Sequence, residues 1–98
     1  MIELRKTAKF AQWLDGLRDL RARARVQARL DRLAEGNPGD VESVGEGVSE
    51  LRIHYGPGYR VYFKAVGREV IILLVGGHKG TQARDIKAAL RLARNLSE

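Results

Sequence analysis

The stretch VSELRIHYGPGYRVYFK, residues 48–64, decides the fold of this chain. Apolar and polar side chains alternate on both sides of a central Gly-Pro-Gly, which is the pattern of two half-buried strands joined by a tight turn. The stretch VIILLV, residues 70–75, is apolar on both faces and predicts a central strand covered on both sides. We therefore predict an antiparallel meander of three strands over 48–55, 59–64 and 70–75.

Helical patterns flank this meander. Residues 1–6 predict a strand, Thr7 caps a first helix that Gly16 ends, and a second helix begins at Asp19. The acidic segment 40–47 predicts a loop, and a last helix begins at Thr81 or Gln82. The predicted fold class is α+β, with an N-terminal strand and two helices packed on an antiparallel sheet and a C-terminal helix. We expect the helices on one face of the sheet and the other face free.

Composition excludes several classes of protein. The 98 residues leave room for one small domain, so we expect a single domain over 1–98. The chain has no cysteine, which excludes disulfides, thiolate metal sites and a cysteine nucleophile. No apolar run reaches the roughly 18 residues of a membrane helix, and the charged first thirty residues do not match a secretory signal. The expected location is the cytoplasm, with no membrane partner.

The charge distribution indicates an anionic partner. The formal net charge is +6, yet residues 35–50 hold five acids and no Lys or Arg. The other 82 residues carry 18 basic and seven acidic side chains, a net charge of +11. Thirteen of the cations are arginines, whose planar fork suits bidentate contacts with phosphate. Nucleic acid is the favoured partner, and the alternatives are a solvated basic surface or an acidic protein.

Strand alternation brings polar residues to one predicted surface. Arg52 and His54 on one strand share it with Arg60 and Tyr62 on the hairpin partner. The segment Gly76-Gly77-His78-Lys79-Gly80 lacks the spacing of a phosphate loop, yet it places His78 and Lys79 beside a helix N-terminus, which attracts anions. The chain has only two histidines and no helical carboxylate pair that faces either of them, so no metal site is expected. Glu50 and Asp85 are interpreted as surface or capping groups.

This cluster suits cleavage of RNA without a metal. Attack of a 2′-hydroxyl on the adjacent phosphate needs a proton acceptor, a cation at the phosphorane and a donor for the 5′ oxygen. Arg60 fits the phosphorane, and His54 or His78 can titrate near neutral pH. Each histidine is equally well interpreted as an ordinary solvated residue, and the Arg stripe of the second helix as a solvated face.

Several ordered segments carry a family resemblance. They include Ile2-Glu3-Leu4-Arg5-Lys6-Thr7, Gly36-Asn37-Pro38-Gly39-Asp40, Tyr55-Gly56-Pro57-Gly58-Tyr59-Arg60-Val61-Tyr62-Phe63 and Gly76-Gly77-His78-Lys79-Gly80-Thr81-Gln82. Together they resemble the HigB-like or phage Gp49-like branch of the RelE/ParE toxin superfamily. In that family the arginine after Gly-Tyr corresponds to Arg60, and an upstream strand cation to Arg52. Glu50 departs from the paired strand lysines of RelE, and no Tyr follows Tyr62 to match its C-terminal tyrosine.

The resemblance implies a toxin that cuts mRNA on the ribosome without a cofactor and is neutralised by a helix-turn-helix, HigA-like antitoxin. The alternatives are a ParE-like toxin that poisons DNA gyrase without nuclease activity, and a non-toxic nucleic-acid-binding domain. The predicted catalytic residues are Arg60, Arg52, His54, His78 and Lys79. The predicted contacts with RNA and the ribosome are Arg21, Arg25, Arg29, Tyr55, Tyr62 and Arg84.

Overall fold

A computed structural model of the protein describes residues 1–96. Its elements, in chain order, are β1 (Glu3–Lys6), α1 (Ala8–Asp15), α2 (Leu20–Ala34), β2 (Val41–Gly45), β3 (Val48–Ile53), β4 (Tyr59–Val66), β5 (Val70–His78), a 3-10 turn (Lys79–Thr81) and α3 (Gln82–Arg94). The order confirms the predicted α+β class, and the three strands of the predicted meander are β3, β4 and β5.

The five strands form one sheet in the order β1-β5-β4-β3-β2. Strands β2 to β5 are antiparallel to their neighbours, whereas β1 runs parallel to β5. Strand β5 lies between β1 and β4 and is covered on both faces, as its continuous apolar run predicted.

Helices lie on both faces of this sheet, which corrects the expectation of a free face. Helices α1 and α2 pack on one face through Phe10, Leu14, Val26, Leu30 and Leu33. Helix α3 packs on the other face through Ala88, Ala89 and Ala93. The reason is the apolar run of β5, because Leu74 and Val75 would meet water if α3 did not cover them. The polar positions Arg52 and Arg60 lie on this second face and remain partly exposed.

The helix starts follow the predicted capping chemistry. Thr7 Oγ1 accepts a hydrogen bond from the backbone N–H of Phe10 at 3.0 Å and so caps α1. Its hydroxyl also donates to the carbonyl of Leu74 at 2.7 Å, which ties α1 to β5. Asp19 Oδ1 accepts from the N–H groups of Arg21 and Ala22 and caps α2. These two caps fix where both N-terminal helices begin.

The acidic segment 40–47 contains a strand, so the prediction of a loop there was wrong. Residues Val41–Gly45 form β2, which pairs with β3 at the edge of the sheet. Val41 and Val44 are half-buried, one in each core, while Glu42 and Ser43 face solvent. An edge strand tolerates exposed charges, which is why the sparse apolar pattern concealed it. Strand β5 also extends to His78, three residues beyond its predicted end.

Candidate functional site

The register of β3 and β4 brings two arginines together. Arg52 is the cross-strand partner of Arg60, and Arg60 is in turn the partner of Gly77 on β5. Side chains directly opposite each other on one face start about 5 Å apart, and like charges in such a pair repel. The structure therefore confirms that Arg52 and Arg60 share a surface, and it requires something to offset their charges.

Carboxylates on β3 itself and in the segment that begins β2 offset the charge of Arg52. Its Nε donates to Oε1 of Glu50 at 3.1 Å, and its Nη2 forms a close ion pair with Glu42. A third carboxylate, that of Asp40, lies 4.0 Å from Nη1. Two of these acids belong to the segment that the sequence predicted as a loop. Arg52 is thus held and neutralised within the fold.

Arg60 has no such compensation. Its Nε is buried without a hydrogen-bond partner, and none of the ion pairs among residues 1–96 includes it. A buried charged donor without a partner costs about 1–3 kcal/mol or more. The Nη groups of Arg60 are not among the buried unpaired atoms, so an anion bound to them would offset the uncompensated charge of this guanidinium. Arg60 is therefore the cation of this surface that is prepared for a ligand such as phosphate.

Behind the two arginines lies a buried polar network centred on Glu50. Glu50 is 1% exposed, and its Oε2 accepts hydrogen bonds from the Tyr62 hydroxyl at 2.9 Å and from Nε2 of Gln82 at 2.8 Å. Burial, and then the hydrogen bond to Glu50, raise the pKa of Tyr62, so its hydroxyl stays protonated. Tyr62 is completely buried. This corrects the expectation that its ring stacks on RNA.

The end of β5 and the residues that follow it, 76–80, are called the exit of β5. Two glycines in it are in close contact with side chains of α1 and α3, and the segment does not form a phosphate loop. A Cβ on Gly76 would lie 2.0 Å from the Trp13 ring, and one on Gly77 would lie 1.8 Å from Oδ2 of Asp85. Asp85, expected at the surface or as a cap, is 4% exposed and accepts a hydrogen bond from Thr81. The paired glycines therefore let α1 and α3 pack closely on the two faces of the strand.

His78 and Lys79 stand at this exit. Nδ1 of His78 accepts a hydrogen bond from the backbone N–H of Gly80 at 3.1 Å. In the neutral ring the proton therefore resides on Nε2, which forms no side-chain hydrogen bond with residues 1–96. The backbone N–H of Lys79 donates to the carbonyl of Gly58 at 2.9 Å, which ties this exit to the β3–β4 turn, and the side chain of Lys79 is exposed.

His54 occupies a different environment from Arg60. Its Nε2 lies 2.6 Å from Oδ2 of Asp40, and this hydrogen bond is the main reason that the pKa of Asp40 is lowered. The ring borders a groove of about 300 Å³ between α2 and the end of β3, together with Arg25 and Arg32. Asp40 therefore contacts both His54 and Arg52, but the His54 ring faces the α2 side of the molecule.

The predicted RNA-binding residues of α2 do not form one uniform surface. Arg25 stacks on Tyr55, with Cζ 4.7 Å from the ring centre, and the Tyr55 hydroxyl donates to Oδ2 of Asp19. Arg29 instead donates to the backbone carbonyls of Arg52, Pro38 and Asp40. Its Nε is buried without a partner, and burial lowers its pKa. Arg21, and Arg84 on α3, are exposed.

The sequence pattern did not point to Gln82, and Glu50 and Asp85 are buried, which corrects their interpretation as surface or capping groups. The signal for Glu50 was present, because Glu50 and Arg52 are two residues apart and must share a face of β3. Alternation shows which residues share a face, but it does not show that α3 covers part of it. Within residues 1–96, no three histidine or acidic side chains are grouped to hold a metal ion. Among these residues, no helix combines the length and apolar character needed to cross a bilayer.

Comparison with known proteins defines first the fold and then the family. The solved structure of a mutant of the E. coli toxin RelE in the free state matches with a TM-score of 0.74, covering 97% of this chain and 98% of RelE at 14% identity. The fold is therefore that of RelE. The model of the family described as phage derived protein Gp49-like matches residues 12–98, so the chain belongs to this family. An uncharacterised Haemophilus influenzae protein is 50% identical over 95 residues, which cover 97% of this chain and 96% of that protein. The resemblance to the RelE superfamily is confirmed.

Proposed function

We propose that this protein is the toxin of a toxin–antitoxin module and that it cleaves mRNA on the ribosome by a metal-independent reaction. The observation that carries the proposal is the guanidinium of Arg60, which has no ion-pair partner among residues 1–96 and lies beside a neutralised Arg52. Membership of the Gp49-like family and the RelE fold support the assignment as a toxin. A scissile phosphate is the anion that Arg60 would bind.

In the proposed reaction the 2′ oxygen of one nucleotide attacks the adjacent phosphorus. The bond from phosphorus to the 5′ oxygen breaks, which leaves a 2′,3′-cyclic phosphate and a 5′-hydroxyl. The 2′ proton passes to a base, and the 5′ oxygen gains a proton. Arg60 stabilises the extra negative charge of the phosphorane, because its fork holds two oxygens from a fixed strand position.

His78 is the proposed acid that protonates the departing oxygen, in its imidazolium form, which requires Nδ1 to release the N–H of Gly80 and take up a proton. It follows Gly77, the cross-strand partner of Arg60, and its Nε2 carries a proton that no described side chain uses. Lys79 adds a mobile cation at the same exit. His54 remains the alternative proton-transfer group, and variants His54→Gln and His78→Gln distinguish the two by the pH dependence of cleavage.

The partners proposed for this toxin are a ribosome carrying mRNA and a helix-turn-helix antitoxin of the HigA-like kind, all in the cytoplasm. Exposed basic residues of α2 and α3, namely Arg21, Arg25 and Arg84, are the proposed contacts with RNA phosphates. Arg29 is assigned to the fold instead, since its two Nη atoms already bind backbone carbonyls.

The purified chain, freed of bound metal by EDTA and then dialysed, tests this function when it is added to ribosomes programmed with a defined mRNA in a buffer whose Mg²⁺ keeps the ribosomes assembled. We expect a discrete cut in the ribosome-bound mRNA and none in the same mRNA free in solution. A parallel supercoiling assay with DNA gyrase tests the ParE-like alternative. Intact mRNA combined with inhibition of gyrase would replace the nuclease assignment with gyrase poisoning.

A further inference from the structure

The buried carboxylate of Glu50 fixes the orientation of the Gln82 side chain. An ionised carboxylate only accepts hydrogen bonds, and all three of its neighbours must donate. Arg52 donates through Nε and Tyr62 through its hydroxyl. The Gln82 amide must therefore turn its NH₂ group toward Glu50, which is the arrangement found, at 2.8 Å.

This orientation leaves the other branch of the amide free. Oε1 of Gln82 takes no part in the side-chain hydrogen bonds of the described residues, and it is not among their buried unpaired atoms. It is consequently a solvent-accessible hydrogen-bond acceptor in a fixed direction. A glutamine on an open surface would rotate freely between its two amide orientations. The amide of Gln82 is held in one orientation by its hydrogen bond to the buried carboxylate of Glu50.

The position of Gln82 places that acceptor beside the arginine pair. Gln82 is the first residue of α3 and contacts Glu50, which lies two residues before Arg52 on the same face of β3. Arg52 is directly opposite Arg60. A phosphate bound by Arg60 would therefore bring the flanking ribose and base within reach of the Gln82 amide.

We propose that Oε1 of Gln82 accepts a hydrogen bond from RNA bound at Arg60 and so contributes to the choice of cleavage site, with Glu50 as its positioning residue. This inference rests on the proposed function. The RNA group that it recognises is a hydrogen-bond donor next to the scissile phosphate. Two groups supply that chemistry, the exocyclic amine of a base and a ribose 2′-hydroxyl.

Two substitutions of Gln82 separate its acceptor from its donor. Gln82→Lys keeps a donor for Glu50 and removes the acceptor, whereas Gln82→Met removes both. The matched control is Lys87→Met, on the exposed surface of α3. The assay is single-turnover cleavage of mRNA on programmed ribosomes, with the cut sites mapped across a pool of codons, and thermal melts verify that each variant folds.

We expect both Gln82 variants to lose about two- to tenfold in kcat/KM at the preferred sites and little at the others, which is the scale of one neutral hydrogen bond. Lys87→Met should retain the wild-type pattern. A substrate whose base lacks the exocyclic amine, or a 2′-methoxy substitution one nucleotide away from the attacking ribose, should reproduce the loss in wild type. One of these two RNA changes should slow the wild type but not the Gln82 variants, and that change identifies the RNA group that Gln82 recognises.

Glu50→Gln tests the positioning role. A glutamine at 50 both donates and accepts, so Gln82 can adopt either amide orientation and the site preference should broaden. The melting temperature should fall, because Arg52 loses one of its carboxylate partners, and cleavage is measured below it. If Gln82→Met and Gln82→Lys cut with the wild-type site distribution, or slow at all sites by one common factor, the inference is wrong while cleavage itself stands. If the wild-type chain does not cut mRNA at all, both proposals are wrong.

Discussion

At the scale of single residues, the arginines of this protein differ in what their guanidinium groups contact. Arg52 is bound by carboxylates, Arg29 by backbone carbonyls and Arg94 by Glu46 through two hydrogen bonds of 2.8 and 2.6 Å. Arg60 alone among these four has neither an ion pair nor a side-chain hydrogen bond with residues 1–96, and it is partly buried. The partners come from distant elements, so their assignment required the fold.

Arg29→Ala should lower the free energy of unfolding by about 1–3 kcal/mol, because the carbonyls of Arg52 and Pro38 each lose a side-chain donor, whereas that of Asp40 keeps the backbone N–H of Arg52. Arg21→Ala, on the same helix but exposed, should change it by no more than about 0.5 kcal/mol. Urea denaturation of the two variants measures the difference. Equal stability of both variants would show that the contacts of Arg29 do not support the fold.

At the scale of elements, strand β5 lies between α1 and α3, and each helix packs on one of its two faces. Its two glycines remove the side chains that would separate the layers, so Trp13 approaches from one face and Asp85 from the other. The same strand carries His78 at its end, next to the partner of Arg60. The packing of both helices therefore determines where the exit of β5 stands relative to the arginine pair.

Gly77→Ala should destabilise the protein by about 1–3 kcal/mol or more, because the new methyl group would overlap the carboxylate of Asp85. The double variant Gly77→Ala with Asp85→Ala removes the obstructing atoms. Its loss of stability should be smaller than the sum of the two single losses, as measured by thermal melts in a double-mutant cycle. Strictly additive losses would contradict the close approach.

The sequence pattern predicted the helices and strands whose apolar residues recur with a clear period. It did not predict features that depend on packing against other elements. The alternation in 48–64 was sufficient for β3 and β4, and Thr7 and Asp19 marked two helix starts. Strand β2 was missed because an edge strand with two half-buried valines has almost no apolar pattern of its own. Tyr62 was misplaced for a related reason, since alternation assigns a residue to a face and α3 decides whether that face is covered.

At the scale of the whole molecule, several acidic side chains are paired with arginines of the same chain. Glu42 and Glu50 neutralise Arg52, and Glu46 is paired with Arg94. The basic residues outside these pairs give the rest of the surface its positive character. Such a surface favours fast, electrostatically steered association with an anionic partner.

This charge distribution predicts how an antitoxin would bind. We expect an acidic antitoxin segment to cover the basic surface around Arg60, and its association rate to fall as salt concentration rises. Stopped-flow measurements from low to high ionic strength, on the wild-type pair, test the expectation. Association that is indifferent to salt would exclude an electrostatic mode of neutralisation.

The central claim, that Arg60 is the phosphate-binding cation of a ribonuclease, is tested most directly by Arg60→Ala on programmed ribosomes. The variant should melt at the wild-type temperature, because Arg60 has no ion pair or Nε hydrogen bond with residues 1–96 to lose. It should nevertheless cut mRNA on the order of 10²-fold more slowly or worse. Arg60→Lys should recover only part of the rate, since a point charge does not replace the bidentate fork. Arg68→Ala, an exposed arginine of the β4–β5 turn, is the matched control and should cut normally. A folded Arg60→Ala protein that cuts at the wild-type rate would contradict the claim.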